Sequence, residues 1–116
     1  MSADEFYLKG GYTPKTQYQS WVDLSTLAIW TPTTSTRVVL TGIAISNNAL
    51  AGTMLITFGN LDGTKIGEFS VGASLTIMPF VGAVESTMYD RSIFGRPSTS
   101  SSTGGWRVTA FGFELE

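Results

Sequence analysis

What most limits this chain is the period of its apolar residues. Thr53-Met54-Leu55-Ile56-Thr57-Phe58 and Trp106-Arg107-Val108-Thr109-Ala110-Phe111 alternate with period two, and each run is short and stops at Gly, Asn or Asp or at the chain's end. Successive side chains of a strand point to opposite faces, so such runs cover a sheet, whereas a helix repeats its apolar residues every three or four positions. No window holds the helical spacing beyond a turn or so. Residues 20–30 come nearest, with Trp21, Leu24, Leu27 and Ile29, but Asp23-Leu24-Ser25-Thr26 can equally begin a turn there.

The rest reads as strands separated by turn residues. A strand is expected over 36–46, with Val39, Thr41, Ile43 and Ile45 on one face and Leu40, Gly42, Ala44 and Ser46 on the other; both faces are apolar or small, as in a central strand. Residues 47–52 supply a loop. The strand over 53–59 should turn Met54, Ile56 and Phe58 inward. Asn60-Leu61-Asp62-Gly63 is a hairpin turn, because Asp and Gly tolerate the positive φ required there, and 64–71 is its partner strand. A strand over 74–81 contains Pro79, which places it at a sheet edge or a strand end. Further strands are expected around Met88-Tyr89 and near Ile93. Residues 95–105, rich in Ser and Thr, read as an exposed mobile loop, and 106–115 as a closing strand with Trp106, Val108 and Ala110 on one face.

Roughly six to eight strands at intervals of about 8–12 residues predict an all-β chain: a single-domain antiparallel β-sandwich, jelly-roll or Ig-like, over residues 20–116. Residues 1–19 stand apart as an N-terminal arm with Phe6, Tyr7, Tyr12 and a Gly10-Gly11 pair.

Composition narrows the chemistry. The 116 residues include no His and no Cys, which excludes a Ser-His or Cys-His nucleophile, an imidazole or thiolate zinc site and any disulfide. Seven Lys plus Arg against nine Asp plus Glu give a net charge of −2, a poor match for nucleic acid, which asks for clustered positive charge. The acidic start Asp4-Glu5 is unlike a signal peptide, and no apolar stretch approaches the ~20 residues of a membrane span, so a soluble chain is expected.

Carboxylates are the remaining candidates for acid–base work: Asp23, Asp62, Glu68, Glu85, Asp90 and Glu114. A hydrolase needs two in one cleft, and their spacing selects no pair, so they read as groups solvating the outer faces. Calcium would have Asn60 and Asp62, or Asn47 and Asn48, without the several acids such loops gather; the turn accounts for them, and neither metal nor cofactor is expected. Among the aromatics, Trp21 and Trp106 read as core. Trp30, just before Thr31-Pro32, reads as exposed and could form a sugar-stacking platform with Tyr12 or Tyr89. Four Arg against three Lys lean towards protein–protein contacts, and the strand edges carry few of the charges that discourage pairing.

The stretch Arg37-Val38-Val39-Leu40-Thr41-Gly42-Ile43-Ala44-Ile45-Ser46-Asn47-Asn48 is followed by Gly52-Thr53-Met54-Leu55-Ile56-Thr57-Phe58-Gly59 and Gly63-Thr64-Lys65-Ile66-Gly67-Glu68-Phe69. Together with a Ser/Thr-rich stretch before the final strand, it resembles the small β-sandwich structural proteins of tailed bacteriophages. The likeness covers 36–113 and brings no catalytic motif. It implies a non-enzymatic virion protein, most often a capsid decoration or auxiliary protein that stabilises the shell, with a tail or fibre-base component as the related alternative. The implied partner is the major capsid protein or another virion protein, and the implied location is the capsid surface after synthesis in the host cytoplasm. A homo-oligomer, taken as a trimer, is expected, with interface residues Phe6, Tyr7, Lys9, Tyr12 and Trp30. A carbohydrate-binding module is the alternative from a different class.

Overall fold

The computed structural model describes residues 13–48, 51–59, 63–79, 83–98 and 105–116. They form nine strands: β1 (Lys15–Trp21), β2 (Leu27–Trp30), β3 (Arg37–Asn47), β4 (Gly52–Phe58), β5 (Thr64–Val71), β6 (Leu75–Ile77), β7 (Val84–Glu85), β8 (Ile93–Pro97) and β9 (Trp106–Leu115). Among the described residues there is no helix, and hence none long and apolar enough to cross a membrane.

The pairing is nested. β1 pairs with β9, β2 with β8, β3 with β6 and β4 with β5, all antiparallel, as in one long ribbon folded back between β4 and β5. The ribbon then rolls so that β9 lies against β3 and β8 against β4. Two sheets result, β1-β9-β3-β6 and β2-β8-β4-β5, with β7 adding to β3 in the first. This is a jelly roll, which decides between the two sandwich orders expected from the sequence.

The core lies between the sheets. Met54, Ile56 and Phe58 of β4 and Trp106, Val108 and Ala110 of β9 all turn into it from the two sheets, as the alternation in each strand requires. β3 is central, as expected, but its alternation breaks midway. Leu40 pairs with Gly112 and Gly42 with Phe111, so Thr41 is an extra residue, a β-bulge. Val38 and Leu40 therefore face the core before it, and Ile43 and Ile45 after it. The expected single face of Val39, Thr41, Ile43 and Ile45 is corrected accordingly: Val39 lies outside the core cluster, and Thr41 is exposed with its hydroxyl donating to the Phe111 carbonyl at 3.2 Å. Gly112 permits the close approach, since a Cβ there would lie 2.0 Å from the Val39 carbonyl oxygen.

Other expectations are also corrected. Residues 20–30 form no helix: β1 ends at Trp21, the Asp23 carboxylate accepts from the Ser25 N–H at 2.9 Å to close a turn, and β2 follows. Met88 and Tyr89 lie in a turn, where the Ser86 hydroxyl donates to the Met88 carbonyl at 2.8 Å. The strand expected over 74–81 is only Leu75–Ile77, ending before Pro79. Gly95, Arg96 and Pro97, assigned to a loop, belong to β8, where a Cβ on Gly95 would meet the Trp21 ring at 2.9 Å. Residues 15–19, assigned to the arm, are in β1, an outer strand of the sheet. The remainder of the arm through Tyr12, the hairpin tip 60–62 and the Ser/Thr-rich stretch 99–104 lie outside the described residues.

Candidate functional site

The alternation that fills the core also sets the fate of the candidate carboxylates. On β9 the inward parity 106, 108, 110 continues to Glu114 at the end of the sandwich, where Trp30 arrives from the other sheet. Glu114 accepts from Lys15 Nζ at 2.6 Å, Trp30 Nε1 at 3.0 Å, the Thr33 hydroxyl at 2.8 Å and the Thr33 N–H at 3.1 Å. Burial by itself raises this carboxyl's pKa. The bonds from Lys15, Trp30 and Thr33 outweigh it and bring the group from its ordinary 4.5 down to about 2. Glu114 is thus a fixed anion that closes one end of the core, not a proton donor near neutral pH.

The other described candidates, Asp23, Asp90, Glu68 and Glu85, also have partners. Asp23 holds the Ser25 N–H, and Asp90 accepts from the Ser35 N–H at 2.6 Å, where Ser35 has φ 65°. Glu68 pairs with Lys65 at 3.1 Å, and Glu85 with Arg37. Asp62 and Asn60 lie outside the described residues. Asn47, weighed with Asn48 as a calcium ligand, is buried and donates its amide to the Val71 carbonyl at 3.2 Å, tying β3 to the end of β5. Among the described residues, no three acidic side chains gather as a metal site would require.

Phe6, Tyr7, Lys9 and Tyr12 lie outside the described residues, so of the expected interface set the structure places Trp30 alone. Its expected exposure is corrected: Trp30 is 1% exposed, and its indole is spent on Glu114. A Trp30–Tyr89 sugar platform is therefore not formed. Tyr89 is half exposed, with the Arg37 guanidinium 5.4 Å above its ring.

The structure instead brings together an outward face on the five-stranded sheet. Cross-strand register lines up Tyr18, Thr109 and Ala44 in one row and Thr16, Phe111 and Gly42 in the next. The exposed Arg107 sits in the row at one end, between Ser20 and Ser46. This face is hydroxyl-rich and aromatic with few charges, and Tyr18 is 56% exposed. The four-stranded sheet differs. Its outward face has an open groove of about 360 Å³ where Leu55 lies between Arg96 and Glu68, with Leu24 and Ser98 at the rim. The sequence carried a signal for Tyr18 that went unused: in Lys15-Thr16-Gln17-Tyr18-Gln19-Ser20-Trp21 the tyrosine has the opposite parity to Trp21.

No family model matches the chain, and no curated protein does. Solved structures do match it, and the first of the two that follow shares its fold. A protein of the disulfide-linked pili that form Bacillus endospore appendages is 11% identical, with 90% of this chain and 89% of that one covered, at a TM-score of 0.50. A chain of infectious bursal disease virus, Gx strain, is 12% identical over 89% of this chain and 33% of that one, at a TM-score of 0.35.

Proposed function

We propose that this chain is a non-enzymatic structural subunit that works by being built into a larger assembly, and that the assembly is a virion in which it serves as a capsid decoration or auxiliary protein. The observation that carries the reading is the outward face of the five-stranded sheet, where exposed Thr16, Tyr18 and Ser20 adjoin half-buried Thr109 and Phe111 with few charges. Such a face gains by being covered, and each copy that binds adds free energy to the assembled state. The candidate carboxylates Asp23, Glu68, Glu85, Asp90 and Glu114 each hold a partner in a turn, a strand or the core's end, which supports a structural over a hydrolytic reading.

The likeness to an endospore pilus protein favours a second reading, a filament subunit. With no cysteine in the sequence, contacts in this chain's assembly would be non-covalent, unlike those of the disulfide-linked pili. The test is the solution mass by light scattering across a concentration series, with electron microscopy, for the full chain and for a form lacking residues 1–12. Closed particles or binding to shells, lost on truncation while the domain stays folded, support the virion reading. Open filaments support the second reading. A truncated chain that assembles normally overturns the role of the arm.

A further inference from the structure

A sheet edge carries unpaired backbone groups, and folded proteins guard it with charge, proline, irregularity or brevity. Three edges here are guarded. β5 has Lys65 and Glu68, and its pairing with β4 shifts register at Ile66. β2 has four residues, a register shift, and the Gln19 amide donating to its Ala28 carbonyl at 2.9 Å. β6 has three residues and β7 two. β1 differs on every count. Its seven residues keep unbroken register with β9, from Lys15 opposite Gly112 to Trp21 opposite Trp106. It contains no proline or glycine, and its one charge, Lys15, is bound to Glu114.

The direction of the free groups can be read. The Ser20 N–H is bonded to the neighbouring Gln19 side chain at 3.0 Å, so it does not serve the ladder to β9. Along an antiparallel strand alternate residues face one neighbour, so Tyr18 and Thr16 turn their backbone groups, with Ser20, to the side where no strand pairs among the described residues. Their side chains are exposed and neutral. We propose that β1 is a self-complementary edge through which two copies of this chain join their five-stranded sheets, antiparallel, about a twofold axis at Tyr18. This register overlaps all seven residues. It lets the two Tyr18 residues exchange both backbone bonds, and it sets Thr16 opposite Ser20 and Lys15 opposite Trp21, so no like charges meet. It also brings Val22, 75% exposed, opposite Pro14 of the second copy. An isologous contact of this kind closes on itself as a pair.

The sequence holds no cysteine, so single replacements give a clean readout. A directly opposed, hydrogen-bonded pair has Cα atoms about 5.5 Å apart, within disulfide range. Tyr18→Cys is expected to give a covalent dimer on mild oxidation, while Thr64→Cys on the β5 edge gives none. Tyr18→Lys sets two ammonium groups together at the axis and is expected to halve the mass seen by light scattering, with the variant still unfolding cooperatively as a folded monomer. A full chain that stays monomeric at all concentrations overturns the proposal. So does a dimer indifferent to Tyr18→Lys, or equal cross-linking through Thr64→Cys. The pair does not depend on the arm: removal of residues 1–12 leaves it intact, whereas the proposed virion assembly is lost.

Discussion

The two ends of the sandwich each bury tryptophan, and they satisfy it by different means. At one end Trp21 stands opposite Trp106 and gives its indole N–H to the Ser25 carbonyl at 3.0 Å. Gly95 and Gly105 make room for it: a Cβ on Gly95 would lie 2.9 Å from its ring, and one on Gly105 1.6 Å from its carbonyl oxygen. At the other end Trp30 gives its N–H to the carboxylate of Glu114, which also takes Lys15 and Thr33. A buried indole needs an acceptor. Whether that acceptor is neutral or ionised decides which conditions each end responds to.

The largest effect is expected at the neutral end. Trp21→Ala removes a side chain 1% exposed, and a cost of about 3–5 kcal/mol in urea unfolding is expected, equal at pH 7 and pH 4. Glu114→Ala comes next, at about 3 kcal/mol at neutral pH, because it strands the Trp30 N–H and removes the partner of Lys15. If Glu114→Ala cost nothing, the charged end would be ornament and the comparison would fail.

Acid separates the ends further. The folded pKa of Glu114, about 2, lies below its ordinary 4.5, so its contribution is fully present above the unfolded value and is lost as pH falls from about 5 towards 2. The loss is on the order of 2 kcal/mol, since half-exposed Lys15 admits solvent screening. The slope should flatten in Glu114→Gln and persist in Trp21→Ala. Trp30→Phe keeps most of the ring but removes the donor, and should cost about 1 kcal/mol with a shallower acid slope.

How much of this was legible follows from range. Period two gave β4 and β9 with their inward residues, because alternation is local. The core role of Trp106 followed from the strand pattern, and that of Trp21 from the large area a tryptophan buries in a small sandwich. The bulge at Thr41 was not legible, since it exists only against Gly112, and the sequence alone does not say that β3 and β9 meet. Trp30 was misread for the same reason: Thr31-Pro32 marks a loop nearby, but the acceptor that lets the indole be buried lies 84 residues away. Glu114 did carry a readable sign, the parity it shares with Trp106, Val108 and Ala110. An inward carboxylate at a strand end asks for donors, and Lys15, Trp30 and Thr33 are those donors. The outward parity of Tyr18 was equally readable, whereas the open state of the β1 edge depends on the strand order.

The smallest effect is expected from Asp23, which belongs to the neutral end yet carries charge. Its carboxylate is exposed and has its pKa lowered by the Ser25 side chain and then by the Ser25 N–H, which it holds at 2.9 Å. That bond sets the turn whose Ser25 carbonyl receives the Trp21 indole. Solvent screens the charge, so Asp23 acts on Trp21 by position and not by field. Asp23→Ala should therefore lower the melting temperature less than Trp30→Phe does, while shifting the Trp21 emission as the Ser25 carbonyl loses its fixed place. Asp23→Asn retains an acceptor oxygen and should restore the emission without restoring the charge. A loss of stability in Asp23→Ala as large as that in Glu114→Ala would show that both ends rest on ionised groups, and the contrast between them would not stand.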